Sequence, residues 1–459
     1  MSDFIIILKH STTAIVTRKM KSCYLSSFLF VILVTNNVSS FVLTPRILEK
    51  RAIIGGGGSI SNNNNNNNHQ AFTSPYKMMM MMMLTATKTP VFDEVCDTTG
   101  VTLKRFMSEV ALLNPGMDEL QVLFGAIETA CKAISNEVRR SQLPPSSDAL
   151  GYNKKDDATT KSLLATANDL LKKSLRFTGR LGVLASERED APESVVVDGT
   201  GAMKDANDEV DILIDAGMKY CAIFDPLDAV SNIELGVPTG TIIGIFEYDE
   251  SCEIDLETLG QDSADDEARC LANTLQAGDN LVAAAYCLYS SSTMFVLTLG
   301  AGTYGFTLDE SLGEFVLSHP SIQIPETSTI YSFDEARSHT WDTALQETVQ
   351  KWKSGSGASG KTFSSRYIGS TLGDVHRTLM YGGVYGCPKD DLNPDGRLHL
   401  VYEAAPISFI MEQAGGVSTT GSERIMNLCP DYVHEKIPTI MGSKNDVQEI
   451  IDAYKKETS

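Results

Sequence analysis

Between Met117 and Arg140 the apolar side chains fall at Leu120, Leu123, Phe124, Ile127, Cys131, Ile134 and Val138. That three-and-four spacing predicts an amphipathic helix with one buried stripe. A second helix is predicted near Thr159 to Leu175, after which the pattern changes to short runs bounded by turn residues. These predict strands at Leu181 to Ala185, Lys219 to Phe224 and Gly240 to Phe246. A meander follows at Met294 to Leu299, Thr303 to Leu308 and Glu314 to Leu317, joined by turns that contain Gly. Pro320 to Pro325 and the Ser/Gly-rich Ser354 to Gly360 read as surface connectors, and no internal repeat is present. Helices layered on sheets, with a division near Pro320, make this an α/β chain.

Of the 459 residues, the first ninety do not read as folded protein, which leaves enough chain for one large domain or two smaller ones. A formal charge of -21 excludes a nucleic-acid partner, because phosphate backbones are held by clustered Lys and Arg. The nine cysteines lack CxxC spacing, so a zinc cluster is excluded and most read as small buried hydrophobes. Cys252 and Cys270 stand apart in an acidic stretch between Tyr248 and Gly278.

The N-terminus has its own organisation. Arg18, Lys19 and Lys21 precede the apolar stretch Cys23 to Val34, and the small residues Val38, Ser39 and Ser40 follow, as in a secretory signal. The run is too short for a membrane span, so the mature form is expected to have none. Phe41, the basic Arg46 and Arg51, an Asn run over 62–68 and a Met run over 78–83 come next. This tract resembles the bipartite plastid presequence of algae with secondary plastids, which implies a signal plus transit peptide over 1–90 and delivery to the chloroplast stroma. The alternatives are an ordinary secretory signal or a true start at Met20.

The stretch richest in chemistry is Phe224-Asp225-Pro226-Leu227-Asp228, preceded by the apolar Tyr220 to Ile223 and followed by Ser231 and Asn232. Two carboxylates three positions apart, with Pro fixing the backbone between them, can face one divalent ion. The N–H groups of the next turn can face a phosphate. Together these point to phosphomonoester hydrolysis.

From about Thr102 to Tyr454 the chain resembles class I fructose-1,6-bisphosphatase, most closely the chloroplast form. The resemblance rests on Ala185-Ser186-Glu187-Arg188-Glu189-Asp190-Ala191-Pro192, the Asp225 segment, Asn280 to Tyr286, Ser365 to Ser370, Asp374 to Leu379 and Tyr402 to Pro406. It implies the layered α/β/α/β/α fold of the inositol phosphatase and fructose-bisphosphatase superfamily. It also implies an N-terminal domain over 91–320 with a redox loop at 249–278, and a C-terminal domain over 321–459. The assembly would be a homotetramer, and the activity Mg²⁺-dependent release of the 1-phosphate from fructose 1,6-bisphosphate. By position in the motifs, Glu187, Asp225, Asp228 and Glu403, with the Leu227 carbonyl, would hold Mg²⁺, with Mn²⁺ as the alternative ion. Four carboxylates in one pocket repel one another unless cations bind, which supports occupancy on physical grounds. Ser231 and Asn232 would open the helix that receives the phosphate. Asp334, Arg366, Tyr367 and Arg397 would surround the second phosphate, Arg366 reaching across a subunit interface.

The same alignment exposes departures. Leu164 and Ala158 stand where the resemblance places catalytic acids, Arg188 replaces a second Glu, and Ala229-Val230 replaces Gly-Ser. A Leu cannot accept a proton, a cation opposes metal, and the added Cβ crowds the phosphate turn. Asp156 or Asp157 could supply the lost acid after a small register shift. At the sugar 6-phosphate end Asp334 stands for an Asn, Arg337 for a Tyr or Asn, and Cys387 for a Tyr. The leading expectation is therefore a weakened fructose-bisphosphatase. One alternative is an impaired paralogue that binds sugar phosphate or regulates a mixed tetramer; the other is a phosphatase of another sugar bisphosphate such as sedoheptulose 1,7-bisphosphate.

The acidic loop matches the chloroplast redox insertion, which implies a Cys252–Cys270 disulfide reduced by thioredoxin; two unpaired cysteines are the alternative. The AMP pocket of cytosolic relatives is expected to be unusable: Lys219 and Tyr220 match it, but Met117-Asp118 fills the phosphate turn and Glu247 replaces an Arg.

Overall fold

The computed structural model describes residues 8–10, 13–16, 32–34, 101–141, 143, 157–189, 193–194, 219–248 and 271–457. The chain divides into two compact units, Met1–Lys88 and Thr89–Ser459. In the first, three short strands (Leu8–His10, Thr13–Val16 and Ile32–Val34) form an antiparallel sheet. Among the described residues no helix is long and apolar enough to cross a membrane.

The second unit opens with three helices, α1 (Leu103–Leu113), α2 (Asp118–Arg140) and α3 (Asp157–Arg176). Strands β1 (Leu181–Ser186), β2 (Glu193–Ser194), β3 (Tyr220–Asp228), β4 (Thr239–Glu247), β5 (Leu281–Tyr289), β6 (Thr293–Thr298), β7 (Thr303–Asp309) and β8 (Glu314–His319) follow. They form an eight-stranded sheet in the order β8-β7-β6-β5-β4-β3-β1-β2. Among the described pairings of this sheet only β1–β3 is parallel, and that ladder ends at Ser186 and Phe224, just before Glu187 and Asp225. The C-terminal half adds β9 (Ile330–Ser332), α4 (Thr343–Ser354), β10 (Ser364–Ser365), α5 (Thr371–Tyr381), β11 (Val384–Cys387), β12 (Leu398–His399), α6 (Ala405–Gln413), β13 (Val417–Thr419), β14 (Lys436–Ile437), β15 (Thr439–Gly442) and α7 (Lys444–Glu457). A five-stranded sheet runs β10-β9-β11-β15-β13.

Strand alternation sends successive side chains to opposite faces, and the core divides accordingly. From β3, Ala222 and Phe224 pack with Phe124, Ile127 and Leu171 of α2 and α3. Cys221 and Ile223 pack with Leu372, Val375 and Leu379 of α5 and with Ile407 and Ile410 of α6. A third cluster joins Tyr331 and Phe333 to Leu345 and Trp352 of α4 and Val447 and Ile450 of α7. The layers are thus helix, sheet, helix, sheet, helix, the α/β architecture expected from the resemblance. Central strands buried on both faces read as continuous apolar runs, as Tyr220 to Phe224 does. Cys131, Cys221, Cys287 and Cys387 are buried, as expected of small apolar residues.

Gly240 fits where β4 passes between β5 and α5, and a Cβ there would overlap the Cys287 carbonyl oxygen and Leu372 Cδ1. Gly240→Ala is expected to destabilise the fold by about 2 kcal/mol or more through overpacking. A denaturant midpoint within error of the parent would contradict this close packing.

Candidate active site

The site begins with a defect in β3. In a regular strand, residues three apart point to opposite faces, so Asp225 and Asp228 could not share an ion. The pairing with β4 changes register between them: Asp225 lies opposite Ile242, and Asp228 lies opposite Gly240. Three steps on β3 match two on β4, the signature of a β-bulge, and both carboxylates turn to one side. Pro226, which has no N–H to give the ladder, lies within the bulge. Its carbonyl accepts from the Thr241 hydroxyl at 2.8 Å, and the Asp228 carbonyl accepts from the Thr239 hydroxyl. Asp225 Oδ1 accepts from the Leu227 N–H at 2.9 Å, which closes the turn.

Glu403 comes from the C-terminal half of the chain. Residues Leu400–Ala404 form a π-turn leading into α6, a wider winding often found at functional sites. His399, at the end of β12, donates its backbone N–H to Glu403 Oε2 at 2.6 Å, and its Nδ1 lies 2.7 Å from the same oxygen. Carboxylate oxygens of Asp225, Asp228 and Glu403 all come within 4.8 Å of one another. Glu187, just past the end of β1, is tied to β3 by its N–H on the Phe224 carbonyl at 3.1 Å.

The electrostatics follow from crowding and burial. Burial pushes the Asp225 carboxyl well above its ordinary value, with Asp228, Glu403 and Glu187 adding repulsion. Asp228 is pushed up to about 7, by burial first and Glu403 second. The first turn of α5 opposes this, with Thr371 and the Leu372 N–H bonding the Asp228 carboxylate at the positive end of the helix. Asp228 Oδ2 is nevertheless sealed from solvent with no protein partner. An orphaned carboxylate oxygen, two further acids in reach and hard oxygen donors throughout fit a divalent cation such as Mg²⁺.

After Asp228 the helix expected to open at Ser231 and Asn232 is a six-residue 3-10 turn, Val230–Leu235, which contains both. Ala229 enters it at φ 55° and is the only non-Gly residue with positive φ among those described. A Cβ costs on the order of 1–2 kcal/mol in that conformation, so the site carries backbone strain. Ser231 is exposed, and Asn232 donates from Nδ2 to the Gly369 carbonyl at 2.9 Å, joining this turn to the loop before α5.

The second half of the cleft lies along β11 and the segment before β12. Arg397 Nη2 reaches Cys387 Sγ at 3.5 Å, and its Nη1 lies 3.8 Å from Asp334 Oδ2. Tyr367 bonds Arg397 as well, while Asp334 caps the turn Glu335–Thr340. Negative charge on Glu403 reaches Cys387, and that on Asp228 reaches Tyr385, so the two halves adjoin. Arg366 is exposed on the loop that also carries Tyr367. That loop is held from below by Asp374, fully buried, which accepts from the Ser332 hydroxyl, the Ile368 and Gly369 N–H groups and Arg377.

The departures have structural counterparts. Leu164 packs against the apolar cluster under α3, and no carboxylate stands at that position. Arg188 is exposed and stabilises the ionised Glu189, whose carboxylate pairs mainly with Lys172 at 3.0 Å. Cys252, Cys270, Asp156 and the side chains of Ala158 and Asp157 lie outside the described residues. Sequence reasoning missed His399, Asp374 and Tyr402. His399 stands four positions before Glu403, a spacing that a helical turn brings together, and the other two lie inside quoted motifs.

Comparison with known proteins gives a consistent result. The profile described as "Fructose-1-6-bisphosphatase, N-terminal domain" matches residues 101–320, and the corresponding C-terminal profile matches 324–455. The chain is 41% identical over 335 residues to "Fructose-1,6-bisphosphatase, chloroplastic" of Triticum aestivum, covering 72% of this chain and 76% of that protein. It is 40% identical over 367 residues to the chloroplastic protein of Spinacia oleracea, covering 80% and 83%. Among solved structures, Leishmania major fructose-1,6-bisphosphatase in holo form superposes with a TM-score of 0.65 at 31% identity, over 77% of this chain and 99% of that one.

A carboxylate whose folded-state pKa lies above its unfolded value makes the fold lose stability as pH climbs between the two. For Asp228 that window runs from the ordinary 3.8 up to about 7. The metal-free protein should therefore lose stability from pH 4 to pH 7, and Asp225→Asn/Asp228→Asn should flatten that slope. At pH 8 the double variant should be more stable than the parent by about 1–4 kcal/mol, the worth of one to three pKa units. Parallel stability curves for the two proteins would refute the raised pKa values of the two carboxyls.

Proposed function

The chain belongs to the fructose-1,6-bisphosphatase family, which consists of phosphoric monoester hydrolases, and from that premise we propose that it releases the 1-phosphate of fructose 1,6-bisphosphate. The observation that carries the reading is the cluster Asp225, Asp228 and Glu403 at a bulged strand end beside a second cationic half-site. Glu187, Asp225, Asp228, Glu403 and the Leu227 carbonyl would hold Mg²⁺, or Mn²⁺ in its place. Bound there, the ion would supply charge neutralisation at the phosphoryl oxygens and a more acidic water. The chain's own residues do the rest. Ser231 and the N–H groups of the turn 230–235 would receive the 1-phosphate, with Asn232 fixing that turn against Gly369. Arg397, Tyr367 and Arg366 would bind the 6-phosphate, Arg366 from a neighbouring subunit of a tetramer.

Leu164 and Arg188 weaken the reaction on this account, since each lost general acid or base removes roughly 10²–10⁴-fold. The apolar packing of Leu164 favours a second reading, an impaired paralogue that binds sugar phosphate in a mixed tetramer. The Asp334–Arg397 pair, which draws one cation away from phosphate, favours a third, a different sugar bisphosphate such as sedoheptulose 1,7-bisphosphate. The domains 91–320 and 321–459, the signal plus transit peptide, residence in the plastid stroma and a thioredoxin-reduced Cys252–Cys270 disulfide belong to the same proposal. The chloroplastic names of the relatives support the location. Insensitivity to AMP belongs to the same proposal: Glu119 pairs with Lys219 at 3.3 Å, so the cation that matches the AMP pocket is already compensated.

Phosphate release should be followed with the reduced chain and Mg²⁺ on fructose 1,6-bisphosphate and sedoheptulose 1,7-bisphosphate. The first should be hydrolysed faster, added AMP should leave the rate unchanged, and Leu164→Asp/Arg188→Glu should raise it by about 10²-fold. Silence in the parent with turnover in the variant would support the impaired paralogue instead, and faster release from the seven-carbon sugar would support the third reading.

A further inference from the structure

His434 lies beyond the matched motifs yet touches both arms of the site. Its Nε2 is 3.0 Å from the Glu189 carbonyl oxygen, and its Nδ1 is 2.8 Å from the Tyr402 hydroxyl. A carbonyl can only accept, so Nε2 carries the proton; in the neutral ring Nδ1 is then the acceptor, and the Tyr402 hydroxyl must donate to it. Tyr402 suits that part, because its side chain is fully buried and its neighbours Glu403, Glu187 and Asp225 are acids that oppose its ionisation. The chain of bonds has one polarity, from the Tyr402 hydroxyl to His434 and from His434 to Glu189.

The two ends of that chain belong to segments far apart in sequence. Glu189 closes the turn Ser186–Glu189, its N–H donating to the Ser186 carbonyl at 3.1 Å, and Glu187 sits within that turn. Tyr402 directly precedes Glu403 in the π-turn. The ring of His399, which grips Glu403, lies tilted at 4.8 Å from that of Tyr402 and edge-on at 6.0 Å from that of His434, so three rings fill the gap between the arms. No other described hydrogen bond joins the 186–189 turn to the 400–404 turn.

We propose that His434 is a positioning residue: by bridging Glu189 and Tyr402 it sets the spacing between the Glu187 and Glu403 carboxylates, and through them the affinity of the site for a divalent cation. The inference rests on the metal reading of the cluster and adds a residue that touches neither metal nor substrate. Groups that orient metal ligands through hydrogen bonds typically matter by 10- to 100-fold in affinity.

The test is a Mn²⁺ titration of the purified full chain followed by electron paramagnetic resonance of the free ion, which does not depend on turnover. His434→Ala and Tyr402→Phe should each weaken Mn²⁺ binding by about 10-fold or more. The double variant should be no weaker than His434→Ala alone, since either change by itself already breaks the Glu189–His434–Tyr402 bridge. His434→Gln, whose amide can still donate to the Glu189 carbonyl, should recover part of the loss. Tyr402→Phe removes only a hydroxyl and keeps the ring, so it serves if His434→Ala does not fold. Equal affinity in the parent and Tyr402→Phe, or fully additive losses in the double variant, would overturn the inference while leaving the metal reading intact. A parent chain that binds no Mn²⁺ would refute the metal reading and this inference together.

Discussion

Carboxylates dislike one another's company in a space that water cannot enter, and here oxygens of Asp225, Asp228 and Glu403 lie within 4.8 Å of one another. The repulsion is tolerated because three local features act on the acids: a bulge at Pro226, a π-turn that contains Glu403 and a helix start facing Asp228. The first two depart from regular secondary structure. Strain at Ala229 belongs to the same set, since a residue with a Cβ is held in a left-handed conformation beside the acids. A scaffold of five layers resists those costs by burying the central strands on both faces.

That scaffold also explains the placement of the second half-site. Strands β9 and β11 of the smaller sheet carry Asp334 and Cys387 at or just beyond their ends, and the loop 366–369 hangs over them from Asp374. Fixing this loop to a buried carboxylate leaves Arg366 and Tyr367 exposed in a defined place, which suits a group offered to a ligand or a neighbouring subunit.

Much of the fold was legible because periodicity and burial agree. The stripe from Leu120 to Val138 lies in α2, and the apolar run at 220–224 lies in β3. Boundaries were less readable: β3 extends through Asp228 because the bulge keeps the strand paired past Pro226, where a Pro read alone suggests an end. The carboxylates could be found because they sit in long motifs. The histidines were harder: the four-residue spacing of His399 from Glu403 is the one hint that sequence offers, whereas His434 has none, and only tertiary contact reveals what it holds. Leu164 is a converse case: sequence shows an acid missing, and the structure adds that the place is filled by apolar packing.

The crowded acids form a site at which a divalent cation competes with protons. Calorimetric titration of Mg²⁺ into the metal-free chain at pH 7, repeated in buffers of different ionisation enthalpy, reports both binding and proton release. Saturable binding accompanied by proton release, both lost in Asp225→Asn/Asp228→Asn, is the predicted result, because cation and proton compete for the same oxygens. Binding without proton release, or no binding in the parent chain, would contradict the account.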